Sequence, residues 1–411
     1  MAAPAVASLT LAEIVRDHLA EFRRGRPLSR HQTKALRDIA RCRTAELGGQ
    51  RYWCAHCGHE HFVFHSCRNR HCPQCQARDS AEWVEQRRGD LLPTPYFHHV
   101  FTLPHEFNPW FLTSDRNQQA LLGLLFEAAS QTLLTFGRKH LGGQLGVTLV
   151  LHTWDQQLRP HYHVHGLSPA GAWQAATGRW IAGGRKFLFP VQGVSRMFRA
   201  KFLDGLARLW AAGELDSPDT LRFPPGVLPR AWLRYWRRRK WVIYAQPPFA
   251  GPSKLLDYLG RYTHRAAIGH ERLKAYDGRR VTFRYRDRAD GDRVKSLTLD
   301  ASEFLARFVT HVLPDRFQRV RHYGFLANRG KAERLANIRR ALGVYDQSTT
   351  TIEPPIDWIA WLREIVGVEV LRCPRCGREL QCEEFPRPQR PTALASPSEP
   401  ALHARPYDDT S

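Results

Sequence analysis

The sequence predicts an α+β fold class, and three observations carry that reading. Two amphipathic helix patterns open the chain, at residues 8–24 and 30–46. The strongest strand patterns come as hairpins, residues 145–154 with 159–167 and the pair within 279–299. The text after about residue 385 is rich in Pro and Ser and has no periodicity, which predicts a disordered tail over 385–411.

The elements follow in order. Leu11, Ile14, Val15, Leu19 and Phe22 make an apolar stripe at helical spacing, and Ser29 is placed to cap the second helix. A cysteine-rich segment occupies 52–76. "YFHHVFTL" (96–103) is strand-like and stops at Pro104. A long helix is expected from about Asn117 to Lys139. "LGVTLVLHTW" (145–154) is a Val- and Leu-rich strand, joined by the loop "DQQLRP" to a histidine-bearing strand. Residues 195–212 read as a helix, "KWVIYA" (240–245) as a strand, and "GPSKLLDYLGRYTHR" (251–265) as a helix with Ser253 as a cap. "RRVTFRYRDRADGDRVKSLTL" (279–299) turns at Ala289-Asp290-Gly291. Residues 301–313 form a helix with a capping-box pattern at Ser302. No repeat at a solenoid period is present.

Composition narrows the partners. The 411 residues are 43% hydrophobic and 24% charged, enough for two or three domains with a sizeable core. Lys and Arg number 61 against 39 Asp and Glu, a formal charge of +22. Such an excess calls for a polyanion, a nucleic acid or an anionic membrane surface. No apolar run approaches the roughly 18 residues of a spanning helix. The N-terminus has no basic stretch and carries Glu13, Asp17 and Glu21, unlike a secretory signal. The expectation is a soluble cytoplasmic protein whose partner is nucleic acid, with no membrane.

Nine cysteines, six of them between residues 42 and 75, point to metal ligation rather than disulfides in such a protein. "CAHC" (Cys54, Cys57) and "CPQC" (Cys72, Cys75) are two C-x2-C knuckles, and two knuckles complete a tetrahedral structural Zn²⁺ site. Cys67 and His71 are possible substitutes for one ligand. Arg68 and Arg70, in the loop between the knuckles, are suited to phosphate contacts. A third knuckle, Cys373 and Cys376 with only Cys382 nearby, is either half a site or closes with a distant ligand.

"RPHYHVHGL" (159–167) places His161, His163 and His165 at every second position. Alternate residues of a strand share a face, and neighbours two apart can converge on one ion while those four apart cannot. The pair is His161/His163 or His163/His165, and Val164, as a core residue between ligands, favours the second. Two imidazoles leave room for a third ligand and for substrate oxygens, as a catalytic Mg²⁺ or Mn²⁺ acting on a phosphodiester requires. Tyr258 and Tyr262, spaced i and i+4 on the expected helix, share one face and supply candidate nucleophiles. The alternative is that both rings pack in the core. Arg237, Arg238, Arg239 and Lys240, near Trp232, Trp236 and Trp241, could follow and stack a single strand, or could be the edge of an ordinary amphipathic helix.

From about residue 10 to 345 the chain resembles the two-tyrosine rolling-circle transposases of insertion-sequence family ninety-one, of the His-hydrophobic-His (HUH) superfamily. The motifs that carry the resemblance are "SCRNRHCPQCQ", "VFTLP", "HVHGL", "YLGRYTHRAAI" and "LPDRFQRVRHYGFLA", in the family's order. It departs where the family has a more glycine-rich stretch after the metal motif and this chain reads "SPAGAW". The resemblance implies that His163 and His165 hold the divalent metal and that Tyr258 and Tyr262 are nucleophiles. It also implies a core of one antiparallel sheet flanked by helices. It does not supply a third ligand, for which His264 and Gln156 are candidates. The implied organisation is a helical zinc-binding, DNA-binding domain over 1–92, an HUH endonuclease domain over 93–345, an extension over 346–384 and the tail. The implied activity is cleavage and transfer of single-stranded DNA through a 5′-phosphotyrosine, in a nucleoid-associated prokaryotic protein. A plasmid replication initiator or relaxase would use the same chemistry. A non-enzymatic zinc DNA-binding protein would need the histidines and tyrosines to be structural.

Overall fold

The structure, a computed structural model, describes residues 9–184, 186–221, 223–246, 249, 266–344 and 371–387. Residues 251–265, where the sequence predicts the helix bearing Tyr258 and Tyr262, and the residues beyond 387 lie outside the described residues. The chain forms two compact units, residues 1–42 with 66–361 and residues 43–65 with 362–411. This differs from the boundary expected at residue 92. The strand Gly49–Trp53 pairs on one side with Glu60–Phe64 and on the other with Gln381–Phe385, so residues 43–65 form a small sheet with the C-terminal segment.

In the larger unit the first two helices are Leu11–Arg24 and Arg30–Ala40. Thr10 caps the first. Ser29 and Gln32 complete a capping box on the second, so two otherwise unpaired helix N–H groups are satisfied by side chains. Leu11, Ile14, Val15, Leu36 and Ile39 pack with Phe304, Leu305 and Phe308 of the helix Ala301–Val309 and with Val281 and Phe283. The last two belong to a three-stranded sheet whose hairpin turns at residues 288–291, as expected. The residue capping the helix Ala301–Val309 is Asp300 rather than Ser302. The strand Arg293–Asp300 runs to the helix without a loop, which leaves Ser302 inside the first turn.

The main sheet is antiparallel throughout. Its order is Arg179–Ala182, Gly171–Gln174, Gln144–Trp154, Pro160–Pro169, Tyr96–Thr102 and Ile243–Gln246, with Val320–Gly324 also paired to Gln144–Trp154. One face is apolar: Phe97, Phe101, Val147, Leu149, Leu151, Tyr162 and Val164 are buried against the helices Asp115–Phe136 and Val191–Ala211. By length and composition the stretch Asp115–Leu141 could cross a membrane; in this fold it is largely buried as the core helix of the sheet. A central antiparallel sheet flanked by helices, beside a cysteine-rich helical N-terminus, is the α+β architecture the sequence predicts.

Arg70 takes a role other than phosphate contact. Its guanidinium donates to the carbonyl oxygens of Leu313 (3.2 Å), Pro314 (2.6 Å) and Phe317 (2.5 Å). The next residue, His71, accepts the backbone N–H of Leu313 at 3.3 Å, so His71 locks the same loop instead of serving as a cysteine substitute. A planar fork of donors fits three carbonyls where an ammonium does not. Arg70→Lys is therefore expected to lower unfolding stability by about 2–4 kcal/mol, from the loss of charge-assisted hydrogen bonds. Chemical denaturation measures this, and a change of DNA affinity with unchanged stability would contradict it.

Candidate metal centre and nucleic-acid interface

The face of the main sheet opposite the core carries four buried histidines. The hairpin register sets His152 directly across from His163, with Val150 across from His165. His152, His163 and His165 are 4%, 8% and 7% exposed, and each brings a ring nitrogen within 4.8 Å of the others. His161 lies outside this group, at the end of the hairpin, and its carbonyl serves His163. Of the two histidine pairs open on spacing, the structure thus assembles His163/His165. The third imidazole is His152, on the neighbouring strand. Gln156 is engaged through its carbonyl, which accepts from Arg272, and His264 lies outside the described residues.

Hydrogen bonds set the tautomers. His163 Nδ1 lies 2.8 Å from the His161 carbonyl oxygen, which can only accept, so this nitrogen carries the proton. His98 Nδ1 donates to Gln246 Oε1 at 3.1 Å, and His98 Nε2 accepts from His165 Nδ1 at 2.9 Å. Both His163 and His165 therefore present Nε2 as a lone pair. An outer acceptor that holds Nδ1–H is the usual support of a metal-ligating histidine. Burial, then the nearby His152, holds the imidazoles of His163 and His165 well below the usual histidine range, so both are neutral and able to ligate. Arg288, at the tip of the 280–300 hairpin, adds positive potential at both.

The cysteines sort into two groups, not the single set of Cys54, Cys57, Cys72 and Cys75 expected from the two knuckles. Cys42, Cys67, Cys72 and Cys75 converge in the larger unit, with Cys42 3.6 Å from both Cys72 and Cys75 and Cys67 3.6 Å from Cys75. Cys54 and Cys57 converge with Cys373 and Cys376 in the smaller one. Each N-terminal knuckle finds its partners within its own unit. Cys42, which follows the helix Arg30–Ala40 and belongs to no knuckle, had no spacing signal.

The basic segment behaves as an amphipathic helix. On Arg230–Arg238, Trp232 and Trp236 turn inward, and Trp241 is 1% exposed among Phe107, Phe198 and Phe202. These rings are core, so of the two readings open for this segment the amphipathic helix is the one the packing matches. Outward lie Arg234, Tyr235, Arg238 and Arg239, with Tyr235 47% exposed and the Arg239 guanidinium 4.8 Å from its ring centre. Arg237 is paired with Asp204 at 2.8 Å, while Lys240 and Arg68 are exposed.

Buried histidines outside the trio give a pH signature. Burial, the largest cause in each case, lowers His99 to about 3 and His311 and His322 to about 4. His311 is held neutral between the Thr153 hydroxyl (3.1 Å) and the Leu158 carbonyl (3.1 Å). In the unfolded chain these groups titrate near 6.5. The folded state then binds fewer protons than the unfolded state below that pH. Stability is expected to be full above about 6.5 and to fall as pH drops toward 4. Urea unfolding across that range measures it, and a flat profile would contradict these burials.

Two family models match the chain. One, described as "Putative transposase", covers residues 146–334, and the other, "Transposase zinc-binding domain", covers residues 14–103. The chain is 41% identical over 363 residues to "Putative transposase y4qJ" of Sinorhizobium fredii, across 87% of this chain and 90% of that protein. It is 27% identical over 365 residues to the transposase for insertion sequence element IS801 of Pseudomonas savastanoi pv. phaseolicola, across 85% and 82%. No solved structure matches it. With matches that span most of this chain and of its relatives, a zinc-binding N-terminal region and a sheet bearing the "HVHGL" strand, the chain belongs to the insertion-sequence transposases of family ninety-one.

Proposed function

We propose that this transposase cleaves and rejoins single-stranded DNA by HUH chemistry, with His152, His163 and His165 as ligands of a catalytic Mg²⁺ or Mn²⁺. The observation that carries the reading is the convergence of three buried imidazoles on one sheet face, two of them, His163 and His165, neutral and with their Nδ1 protons held by acceptors. Bound there, a divalent ion polarises the scissile phosphate and stabilises its charge. Tyr258 or Tyr262 attacks the phosphorus through its hydroxyl oxygen, which forms a 5′-phosphotyrosine and releases a 3′-hydroxyl. The 3′-hydroxyl of a second strand then displaces the tyrosine, so the phosphodiester count is conserved and no nucleotide hydrolysis is needed.

In this reading Cys42, Cys67, Cys72 and Cys75 hold a structural zinc in the N-terminal domain. Their sulfur separations of 3.6 Å suit the edges of a tetrahedron with bonds of about 2.3 Å. Arg68, Arg234, Arg238 and Lys240 follow the phosphates, Tyr235 stacks on a base, and Arg237 and Arg239 contribute from the same helix. The substrate is the single-stranded element end and target. The excess of positive charge fits a cytoplasmic, nucleoid-associated protein.

The test is a covalent adduct. Incubation with labelled single-stranded DNA and Mn²⁺ is expected to yield a protein–DNA adduct on Tyr258 or Tyr262. His152→Ala should reduce it by about 10²-fold or more, in line with losing a ligand that organises transition-state stabilisation. Tyr258→Phe with Tyr262→Phe together should abolish it. A His152→Ala protein with full adduct yield would remove His152 from the metal centre, and absence of any adduct in the native protein would favour a DNA-binding role without catalysis.

A further inference from the structure

We propose that Cys54, Cys57, Cys373 and Cys376 bind a second structural zinc ion, which joins residues 43–65 to the C-terminal segment. Cys54 lies 3.5 Å from Cys376 and Cys57 lies 3.4 Å from Cys373, in sulfur-to-sulfur distance. All four sulfurs fall within 4.8 Å of one another. A disulfide needs about 2.05 Å, whereas four thiolates around zinc stand somewhat under 4 Å apart. The separations match the second arrangement.

The two knuckles are built alike, which two unrelated cysteine pairs would not be. In "CAHCG" the N–H of Gly58 reaches the Cys54 carbonyl at 3.0 Å, and in "CPRCG" the N–H of Gly377 reaches the Cys373 carbonyl at 2.8 Å. The N–H of Cys54 donates to the His59 carbonyl at 2.8 Å, and that of Cys373 to Arg378 at 2.7 Å. Gly58 has φ +68° and Gly377 has φ +72°, a left-handed turn that glycine adopts without strain. Backbone N–H groups of His56 and Cys57 point at the Cys54 sulfur, and those of Arg375 and Cys376 point at the Cys373 sulfur. The N–H of His59 serves Cys57 and that of Arg378 serves Cys376. Each knuckle thus aims backbone donors at its own sulfurs, the hydrogen-bonded geometry that a metal-bound sulfur accepts.

The rest of the unit explains why a metal is needed. It is a three-stranded sheet of five-residue strands, and its buried cluster consists of Cys54, Cys373 and Leu380 with Tyr52 and Cys57 against them. So small a core does not hold two segments separated by more than three hundred residues. A metal clip across such a long loop does. Zinc at this site would be independent of the Cys42 cluster and of the histidine centre, which share no residue with it.

The experiment uses the full-length native chain and its exposed Cys382 as an internal reference. The protein is treated with N-ethylmaleimide before and after removal of zinc by a strong chelator, and each cysteine is followed by peptide mass spectrometry. Cys54, Cys57, Cys373 and Cys376 are expected to react at least about tenfold more slowly than Cys382 in the zinc-loaded protein. The four should become reactive together on chelation. Native mass spectrometry of the untreated chain should show two tightly held zinc ions, with one remaining in the Cys373→Ser, Cys376→Ser double variant. Alkylation of exposed Cys376 as fast as Cys382 in the loaded protein would overturn the proposal. So would a single tightly held zinc in the native chain, or a mass showing Cys54–Cys376 and Cys57–Cys373 disulfides.

Discussion

The pairing of His152 with His163 across one hairpin is the constraint on which the functional reading depends. Strand periodicity puts Tyr162 and Val164 on one face and His163 and His165 on the other. Tyr162 stacks on Phe111 with ring centres 3.9 Å apart, and Val164 is fully buried among Leu and Phe side chains. Each of these two side chains contributes roughly 1.5–3 kcal/mol by burial. A slip of one residue would turn both toward the histidine face and turn two histidines into the core. The apolar face therefore fixes the register, and the register delivers three imidazoles to one place. The same face orders the outer partners, since His98 and Gln246 come from the next two strands of the sheet.

Much of this was legible in the sequence where a residue's neighbours are local. The alternation of "HYHVH", the hairpin at 145–167, the turn at 288–291 and the Ser29 cap depend on residues a few positions apart. The third imidazole needed one more step. The loop "DQQLRP" sets the pairing of Trp154 with Pro160, and continuing that ladder reaches His152 opposite His163, with an irregularity between residues 152 and 154. That irregularity is what simple counting across the loop would miss. His98 had no signal, because its contact with His165 depends on which strand lies beside the hairpin.

The cysteines show the opposite case. Two C-x2-C knuckles close in sequence suggest one site, yet each finds partners farther away. Cys72 and Cys75 begin the helix Pro73–Arg88 and meet Cys42 and Cys67. Cys54 and Cys57 lie in the turn between the strands Gly49–Trp53 and Glu60–Phe64, in a sheet completed by the strand Gln381–Phe385. Knuckle spacing specifies a local turn that can present two sulfurs. It says nothing about which other turn faces them, which depends on tertiary pairing. For Arg70 and the tryptophans of Arg230–Arg238 the sequence leaves more than one reading open for a related reason. Arginine and tryptophan beside basic residues fit nucleic acid by composition, but a guanidinium also satisfies loop carbonyls, and indole rings at i and i+4 fill a core.

The positive charge, the histidine face and the outward Arg234–Tyr235–Arg238 surface fit together under the proposed reading, in which the protein guides a strand electrostatically and cleaves it at a metal. The most direct measurement of that account is anomalous diffraction from crystals of the protein soaked in Mn²⁺. It predicts one manganese peak bonded to a ring nitrogen of each of His152, His163 and His165, at about 2.0–2.3 Å. A trio that stays metal-free at saturating Mn²⁺, or a peak held without His152, would contradict it.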